Sequence, residues 1–148
     1  MIVDANRFDR FFSENDFEVA RRWIHEGPGR LVIGGTKYHA ELAARPPILN
    51  LVLQLDKARR VTKANDEAVD RKTNELIGAG KIKSNDQHIV ALVIVSGCQI
   101  VCTDDKKLRG DIRSGFRKKF GLRRPRLYDG SRHNNLICDA NIVAACRK

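Results

Sequence analysis

Acidic side chains stand where the local pattern predicts strands to end. Asp4 follows the apolar pair Ile2-Val3, and Asp104 and Asp105 follow the apolar run of residues 99–103. Because carboxyl ends of neighbouring parallel strands meet at one edge of a sheet, we expect these carboxylates to lie about 5 Å apart if the two strands pair. Clustered carboxylates repel unless a cation neutralises them, and Mg²⁺ or Mn²⁺ prefers oxygen ligands. The spacing predicts a divalent-metal site; the alternative for each acid is a turn or cap residue.

Two further acids are positioned to face the same edge. Glu41 lies five residues into the helix predicted after the second strand, although an isolated glutamate is commonly a surface charge. Asp86 lies in the first turn of an apolar helix, where the helix dipole also favours an acid. No phosphate-binding glycine loop or Ser-His-Asp arrangement occurs, and the histidines lack metal-ligand spacing. The carboxylates are therefore the one catalytic constellation in the sequence. The histidines are His25, His39, His88 and His133.

Predicted strands and helices alternate along the chain. The strands are residues 2–3, 30–35, 60–63, 99–103 and 127–128, and the helices are residues 14–26, 36–44, 48–59, 65–77, 84–95 and 135–145. Ser84 and Gln87 have the spacing of a capping box, and Thr36 is a candidate helix cap. The alternation predicts an α/β fold, an open and mainly parallel sheet of four or five strands flanked by helices, in one domain over residues 1–148.

The charge balance predicts a polyanionic partner. The chain has 28 Lys and Arg against 18 Asp and Glu, which gives a net charge of +10. Such a surface favours RNA, DNA or anionic lipid through counterion release. A basic segment over residues 106–126 is the candidate for backbone contact; the alternative is a solvated helix face and loop. Its candidate nucleic-acid-binding residues are Arg109, Arg113, Arg117, Lys118, Lys119, Arg123, Arg124 and Arg126.

Several classes of protein are not expected from this sequence. The four cysteines lack the paired spacing of zinc sites and are predicted to be buried apolar residues. The longest apolar stretch, residues 89–102, falls short of the roughly 20 residues of a membrane-spanning helix. The amino terminus lacks the pattern of a signal peptide, so we expect a cytoplasmic protein without a membrane partner. The cysteines are Cys98, Cys102, Cys138 and Cys146.

The order of the acidic motifs resembles that of the PIN-domain ribonucleases over the chain from Asp4 to about Tyr128. The matching segments are Ile2-Val3-Asp4-Ala5-Asn6, Glu41-Leu42, Asp86-Gln87-His88-Ile89-Val90-Ala91-Leu92 and Thr103-Asp104-Asp105. The resemblance implies a PIN-like fold and Mg²⁺- or Mn²⁺-dependent hydrolysis of RNA. It implies Asp4, Glu41, Asp86 and Asp105 as metal-binding catalytic acids, with Asp104 adjoining them. It also implies that Asn6 and Thr103 support the acids by hydrogen bonds. Asp105 is preferred over Asp104 because the family acid stands two residues after the threonine.

The resemblance also bears on partners. Many small PIN proteins are toxins of toxin–antitoxin pairs and are often dimeric, which suggests a protein antitoxin and a homodimer. The apolar stripe Leu49, Val52 and Leu53 is either a dimer face or part of the core. Tyr38 and His39 are candidates for stacking on a base, with the core as the alternative for Tyr38.

Other functions remain open from the residues themselves. A non-catalytic RNA-binding module with a PIN-like fold is the main alternative, since charge alone supports it. A receiver domain expects an acidic pair after the first strand, and a haloacid-dehalogenase-type phosphatase expects a second acid where Asn6 stands.

Overall fold

The strands of the protein are short and, apart from the outer two, buried. A computed structural model describes residues 1–142. All the observed strand pairs are parallel: β1 with β4, β4 with β5, and β2 with β3. The predicted α/β class with mainly parallel strands is therefore confirmed. The strands are β1 (Ile2–Val3), β2 (Leu31–Ile33), β3 (Val61–Lys63), β4 (Ile100–Cys102) and β5 (Arg126–Tyr128).

The strands form two small sheets, β1-β4-β5 and β2-β3, where a single sheet was predicted. Met1 connects them, since its amino group donates to the Arg30 carbonyl at 2.8 Å and its carbonyl accepts from the Val32 amide at 2.8 Å. These two bonds have the pattern of a parallel ladder, so the spatial order is β3-β2-β1-β4-β5. β4 lies between β1 and β5, as predicted for a central strand. The carboxyl ends of β1 and β4 are consequently side by side.

Helices connect the strands, and most of the predicted helices are present. The helix over Thr36–Ala43 is followed by one over Pro46–Lys57. Pro46 occupies the first position of this second helix, where its missing N–H costs nothing. Helix α6 is buried from His88 to Val93 and packs against α5 and α3. The helices are α1 (Phe8–Ser13), α2 (Glu18–His25), α3 (Thr36–Ala43), α4 (Pro46–Lys57), α5 (Asp66–Ala79), α6 (Gln87–Ser96), α7 (Lys106–Arg113) and α8 (Phe116–Phe120).

The first predicted helix is wrong in its extent. In place of one helix over residues 14–26, the chain forms α1, a 3-10 turn at Asn15–Phe17, and α2. Glu14 separates them because its backbone is extended, with φ −81° and ψ 143°. Arg21 stabilises this break by donating to the carbonyls of Phe11 and Glu14 at 2.6 and 2.7 Å. The break lets α1 bury Phe8 and Phe11 while α2 buries Ala20 and Ile24 in the core.

The last predicted helix is also wrong where the structure describes it. Residues 131–142 contain the 3-10 turns Ser131–Leu136 and Asp139–Asn141, while residues 143–145 lie outside the described range. Side-chain amides take bonds that would compete with a helix. Asn134 Oδ1 accepts from the Tyr128 hydroxyl at 2.8 Å, and Asn141 Nδ2 donates to the Leu136 carbonyl at 2.8 Å.

The cysteines confirm the burial prediction in part. Cys98 and Cys102 are buried, whereas Cys138 is half-buried and Cys146 lies outside the described residues. Burial raises the pKa of the Cys102 thiol to about 12, so this side chain behaves as an apolar core residue. Within residues 1–142, no helix is both long and apolar enough to cross a bilayer.

Candidate metal centre

The ends of β1 and β4 bring Asp4 and Thr103 into contact. The Asp4 amide continues the ladder by donating to the Cys102 carbonyl at 2.9 Å. The Thr103 hydroxyl donates to Asp4 Oδ2 at 2.6 Å, and both residues are 1% exposed. The side chain of Asn6 is exposed, and its backbone amide acts to lower the pKa of Asp4. The bonds to Cys102 and Thr103 therefore fix Asp4 in position beside the end of β4.

Helix α3, which carries Glu41, is anchored on α5. Its N-cap is Gly35 and not Thr36 as predicted; Gly35 has φ +89°, and a Cβ there would lie 2.6 Å from Val69. The Gly35 amide donates to Asp66 at 2.8 Å. Asp70 accepts from the Thr36 amide at 2.8 Å and from its hydroxyl at 2.6 Å. These bonds occupy the start of α3 and fix its direction.

Tyr38 fixes α3 against the first strand. Its side chain is fully buried, and its hydroxyl donates to the Val3 carbonyl at 2.7 Å. Stacking of Tyr38 on a base is therefore wrong, and the core alternative is correct. His39 is half-exposed and lies 3.0 Å from Asp66. Glu41 follows Tyr38 by nearly one turn, which directs it to the same edge as Asp4.

The loop before α6 positions Asp86 and His88. The buried carboxylate of Asp111 accepts from the Lys83 amide at 2.9 and 3.1 Å and from the Ser84 amide at 2.9 Å. The predicted capping box is wrong, because Asp86 is the N-cap and Ser84 Oγ instead accepts from the Asp86 amide at 3.4 Å. Asp111 on α7 therefore determines where α6 begins.

Three side chains from α3 and the start of α6 converge at this edge. Glu41, Asp86 and His88 each offer one possible ligand atom, and these atoms lie within 4.8 Å of one another. His88 Nε2 lies 3.0 Å from Glu41 Oε2. His88, which the sequence pattern excludes from the site, belongs to it. Its spacing of two residues from Asp86 was the available signal, but the contact with Glu41 joins residues that are 47 apart in sequence.

Asp104 and Asp105 point to different surroundings. The Asp104 carboxylate is 41% exposed, forms an ion pair with buried Arg7 and lies 3.7 Å from Arg10. Asp105 is the N-cap of α7 and accepts from the Leu108 amide at 2.6 Å, while its own amide donates to Thr103 Oγ1 at 3.1 Å. Of the two, Asp105 is the acid whose charge acts on Asp86.

Burial and neighbouring charge raise the pKa of Asp4. Burial is the main cause, and the carboxylates of Asp86 and Glu41 raise this pKa further, against the hydrogen bond from Thr103. Asp4 therefore holds a proton more tightly than an isolated aspartate does.

The residues around Asp86 fit a divalent cation. Burial raises the pKa of Asp86; the charges of His88 and Lys37 oppose that change, and those of Asp105 and Glu41 add to it. A cation among these groups would relieve the repulsion between the carboxylates. Carboxylate oxygens with one imidazole nitrogen suit Mn²⁺ and are compatible with Mg²⁺. The donor set thus fits the metals that the sequence predicts.

The predicted nucleic-acid-binding residues are not all free for contact. Arg109 donates to Asp129 and to the Thr103 carbonyl, both at 3.3 Å. Lys119 donates to the Lys81 carbonyl at 3.3 Å. The others in the basic segment are exposed and lie beyond the first turns of α7, away from the acids: Arg113, Arg117, Lys118, Arg123, Arg124 and Arg126.

The apolar stripe of α4 divides between core and surface. Val52 is 2% exposed and belongs to the core, Leu49 is half-buried, and Leu53 is 47% exposed. The core alternative is correct for Val52. The exposed Leu53 stays a candidate for a dimer contact.

Comparison of the chain with protein-family models, with curated proteins and with solved structures found no match. The function is therefore inferred from the geometry at the ends of β1 and β4.

Proposed function

We propose that this protein is a metal-dependent ribonuclease of the PIN type, which hydrolyses RNA phosphodiester bonds. The observation that carries the proposal is the convergence of Glu41, Asp86 and His88 within 4.8 Å, beside the buried Asp4. Acids that are far apart in sequence meet at the carboxyl edge of a parallel sheet, where ligands bind in such folds. Glu41 and Asp86, from two motifs of the PIN resemblance, contribute ligand atoms to this group, whereas Asp4 and Asp105, from the other two, act on it through their charge.

Glu41, Asp86 and His88 would hold Mg²⁺ or Mn²⁺, and Asp4 and Asp105 are the further acids that the PIN resemblance assigns to the site. The chemistry that such a cation supplies when bound is activation of water and stabilisation of negative charge on the phosphate and leaving oxygen. Bound metal also changes the electrostatic character of the edge, because an acidic cluster alone would repel a phosphodiester. No protein nucleophile is needed.

The surrounding residues orient the acids. Thr103 donates to Asp4, and His88 lies against Glu41, so two of the acids have a fixed direction. Arg7 draws Asp104 away from the cluster, which leaves Asp105 as the acid of this turn that faces Asp86. Groups that orient ligands in this way commonly change metal affinity or activity by about 10–100-fold when they are removed.

RNA is the proposed substrate because the chain combines this acidic edge with a net charge of +10. A basic surface gathers the phosphate backbone, whereas the acidic edge becomes attractive to it only with metal. The PIN resemblance further supports a toxin role with a protein antitoxin as partner.

Cleavage of total tRNA by the purified protein tests the proposal, with Mn²⁺, with Mg²⁺ and with chelator. We expect discrete fragments that require metal and that decrease by at least about 100-fold in Asp86→Asn and Asp4→Asn. Glu67→Gln is the matched control, because Glu67 is an exposed acid in the first turn of α5, outside the cluster.

Each outcome separates the ribonuclease from its main alternative. Binding of tRNA without cleavage, unchanged in Asp86→Asn, would favour a non-catalytic RNA-binding module. Fragments that persist in chelator or in both aspartate variants would indicate a contaminating nuclease. Metal-dependent cleavage that is lost in both variants and kept in Glu67→Gln is the result that supports the proposal.

A further inference from the structure

An open basic groove lies between the end of α7, helix α8 and the start of β5. It consists of two adjoining cavities of about 270 and 640 Å³, and both are lined by Arg113 and Arg124. Arg124 also donates to the Arg113 carbonyl at 3.4 Å, which holds the two residues together. The cationic side chains of this basic groove are Arg113, Arg117, Lys118, Arg124 and Arg126.

The positive charge of the basic groove is not compensated by acids of the described residues. All five cationic side chains belong to exposed residues, and within residues 1–142 none of them forms an ion pair. Other arginines of the chain, such as Arg7, Arg22 and Arg45, do form ion pairs. Without an opposing acid, each of these five charges is available to an anion from solution.

The basic groove is separate from the candidate metal centre. Helix α7 begins at Lys106, directly after the acids that follow β4, and Arg113 is its last residue. With a rise of 1.5 Å per residue, this places Arg113 about 10 Å along the helix from the acidic edge. Arg126 begins β5, at the end of that strand opposite to the acids. A ligand that reaches both surfaces would therefore contact them with different parts of its length.

We propose that the basic groove is a second contact surface for RNA, which holds the phosphate backbone of a strand whose other part lies at the acidic edge. The choice of RNA as the polyanion rests on the proposed function. Binding at both surfaces requires a strand that spans the length of α7, about 10 Å, so a single nucleotide cannot contact both of them.

The side chains of the groove suit phosphate more than base recognition. Guanidinium groups bind phosphate oxygens through two parallel hydrogen bonds. Phe116, the aromatic residue that lines the groove, is 1% exposed and so presents no face for stacking on a base. Contacts of this kind are independent of sequence and weaken with salt.

Binding of fluorescein-labelled oligouridine, about 20 nucleotides long, tests the groove in fluorescence anisotropy with chelator present, so that no cleavage occurs. We expect Arg117→Gln/Arg124→Gln to raise the Kd about tenfold and to reduce the slope of log Kd against log salt by about 1.4, because each phosphate contact to a single strand contributes about 0.7. The matched control is Lys57→Gln/Arg71→Gln, which removes two exposed, unpaired charges elsewhere. Arg117→Lys/Arg124→Lys keeps the charge but loses the paired hydrogen bonds, so its Kd should lie between those of wild type and the glutamine variant.

The proposal is overturned if the groove and control glutamine variants bind alike, if the wild-type chain does not bind oligouridine, or if polyglutamate displaces the RNA as well as unlabelled RNA does. The last result would indicate an acidic polypeptide as the occupant. The same assay on Asp86→Asn tests whether oligouridine binding depends on the candidate metal centre, which separates the groove proposal from the ribonuclease proposal. If oligouridine binding depends on the groove while no variant or metal gives cleavage, the groove stands and the ribonuclease does not.

Discussion

Asp104 and Asp105 are neighbours in sequence but have different electrostatic surroundings. Arg7, which is 5% exposed, forms ion pairs with both Asp104 and Asp129. Asp105 has no such arginine among the described residues and instead caps α7. A buried guanidinium is costly without a carboxylate partner, so Arg7 commits Asp104 to a structural role. The structure thereby favours Asp105 as the acid of the candidate metal centre.

Substitution of these two aspartates should separate their roles. We expect Asp105→Asn to lower metal-dependent RNA cleavage by at least about 100-fold, because it removes one negative charge from the cluster while asparagine still caps the helix. Asp104→Asn should keep activity within about threefold and lose some stability. Measurement of kcat/KM with and without metal, together with urea unfolding of both variants, checks this. Equal loss of activity in both would contradict the assignment.

Asp129 should make the stability of the fold depend on pH below about pH 5. Burial raises its pKa, but hydrogen bonds and charges from Arg132 and Arg109 outweigh burial and hold the pKa below its ordinary value. The ionised form therefore stabilises the folded state above the unfolded pKa of about 4, and this contribution is lost as the pH falls through the folded pKa.

Urea unfolding of wild type and Asp129→Asn from about pH 6 to about pH 3 measures this contribution. We expect wild type to be more stable by about 2–4 kcal/mol at the upper end, because the substitution removes an ionised partner of the buried Arg7. The difference should shrink toward the lower end. A difference that stays constant with pH would show that charge at Asp129 is not the cause.

The acids of the site could be predicted from sequence, but their partners could not. Asp4 and Asp105 follow apolar strands, and Asp86 opens an apolar helix, so local pattern is sufficient to find them. His88 contacts Glu41 across 47 residues, and Arg109 is paired with Asp129 from the turn after β5. Such contacts depend on how the helices and strands pack against one another. The spacing of residues along the chain does not predict that packing.

Strands and helices could be predicted where a single local pattern, such as an apolar run or an N-cap, was not opposed by other side-chain bonds. Strands β2 and β4 are runs of buried apolar residues, and α5 is preceded by its N-cap Asn65, whose side chain accepts from the Ala68 amide at 2.8 Å. The helix over residues 135–145 failed because asparagine side chains there bond to neighbouring groups. Local side-chain bonds therefore decided the part of the chain after β5.

The contact between α7 and the loop before α6 should contribute strongly to stability. Asp111 accepts from two backbone amides that would otherwise be buried without partners. We expect Asp111→Ala to lower the free energy of unfolding by about 2–4 kcal/mol, and Asp111→Asn to lower it less, since one acceptor oxygen remains. Urea unfolding measures both, with exposed Asp139→Ala as the control. A loss within about 0.5 kcal/mol for Asp111→Ala would contradict this.

At the scale of the whole molecule, charge is divided between two ends of the sheet. Acids gather at the carboxyl ends of β1 and β4, and unpaired cations gather near the start of β5. This separation keeps the cations of the basic groove from forming ion pairs with these acids. It also leaves the cations free for a polyanion.

A toxin role predicts arrest of bacterial growth on induced expression. We expect wild type and Glu67→Gln to slow growth and Asp86→Asn to be tolerated at equal protein level, because only the last loses an acid of the candidate metal centre. Optical density and immunoblotting of the three cultures check this. Equal growth of all three would oppose the toxin role without bearing on cleavage in vitro.

The pairing of β1 with β4 has a consequence for the timing of synthesis. Thr103 bonds to Asp4 across 99 residues, so the acidic edge does not exist until the fourth strand has been made and has left the ribosome. At roughly 5–20 residues per second, the ribosome adds those residues over on the order of 5–20 seconds after the first strand. During that interval the nascent chain carries Asp4 without Thr103, so the proposed ribonuclease activity would be absent while the chain is surrounded by the RNA of the ribosome.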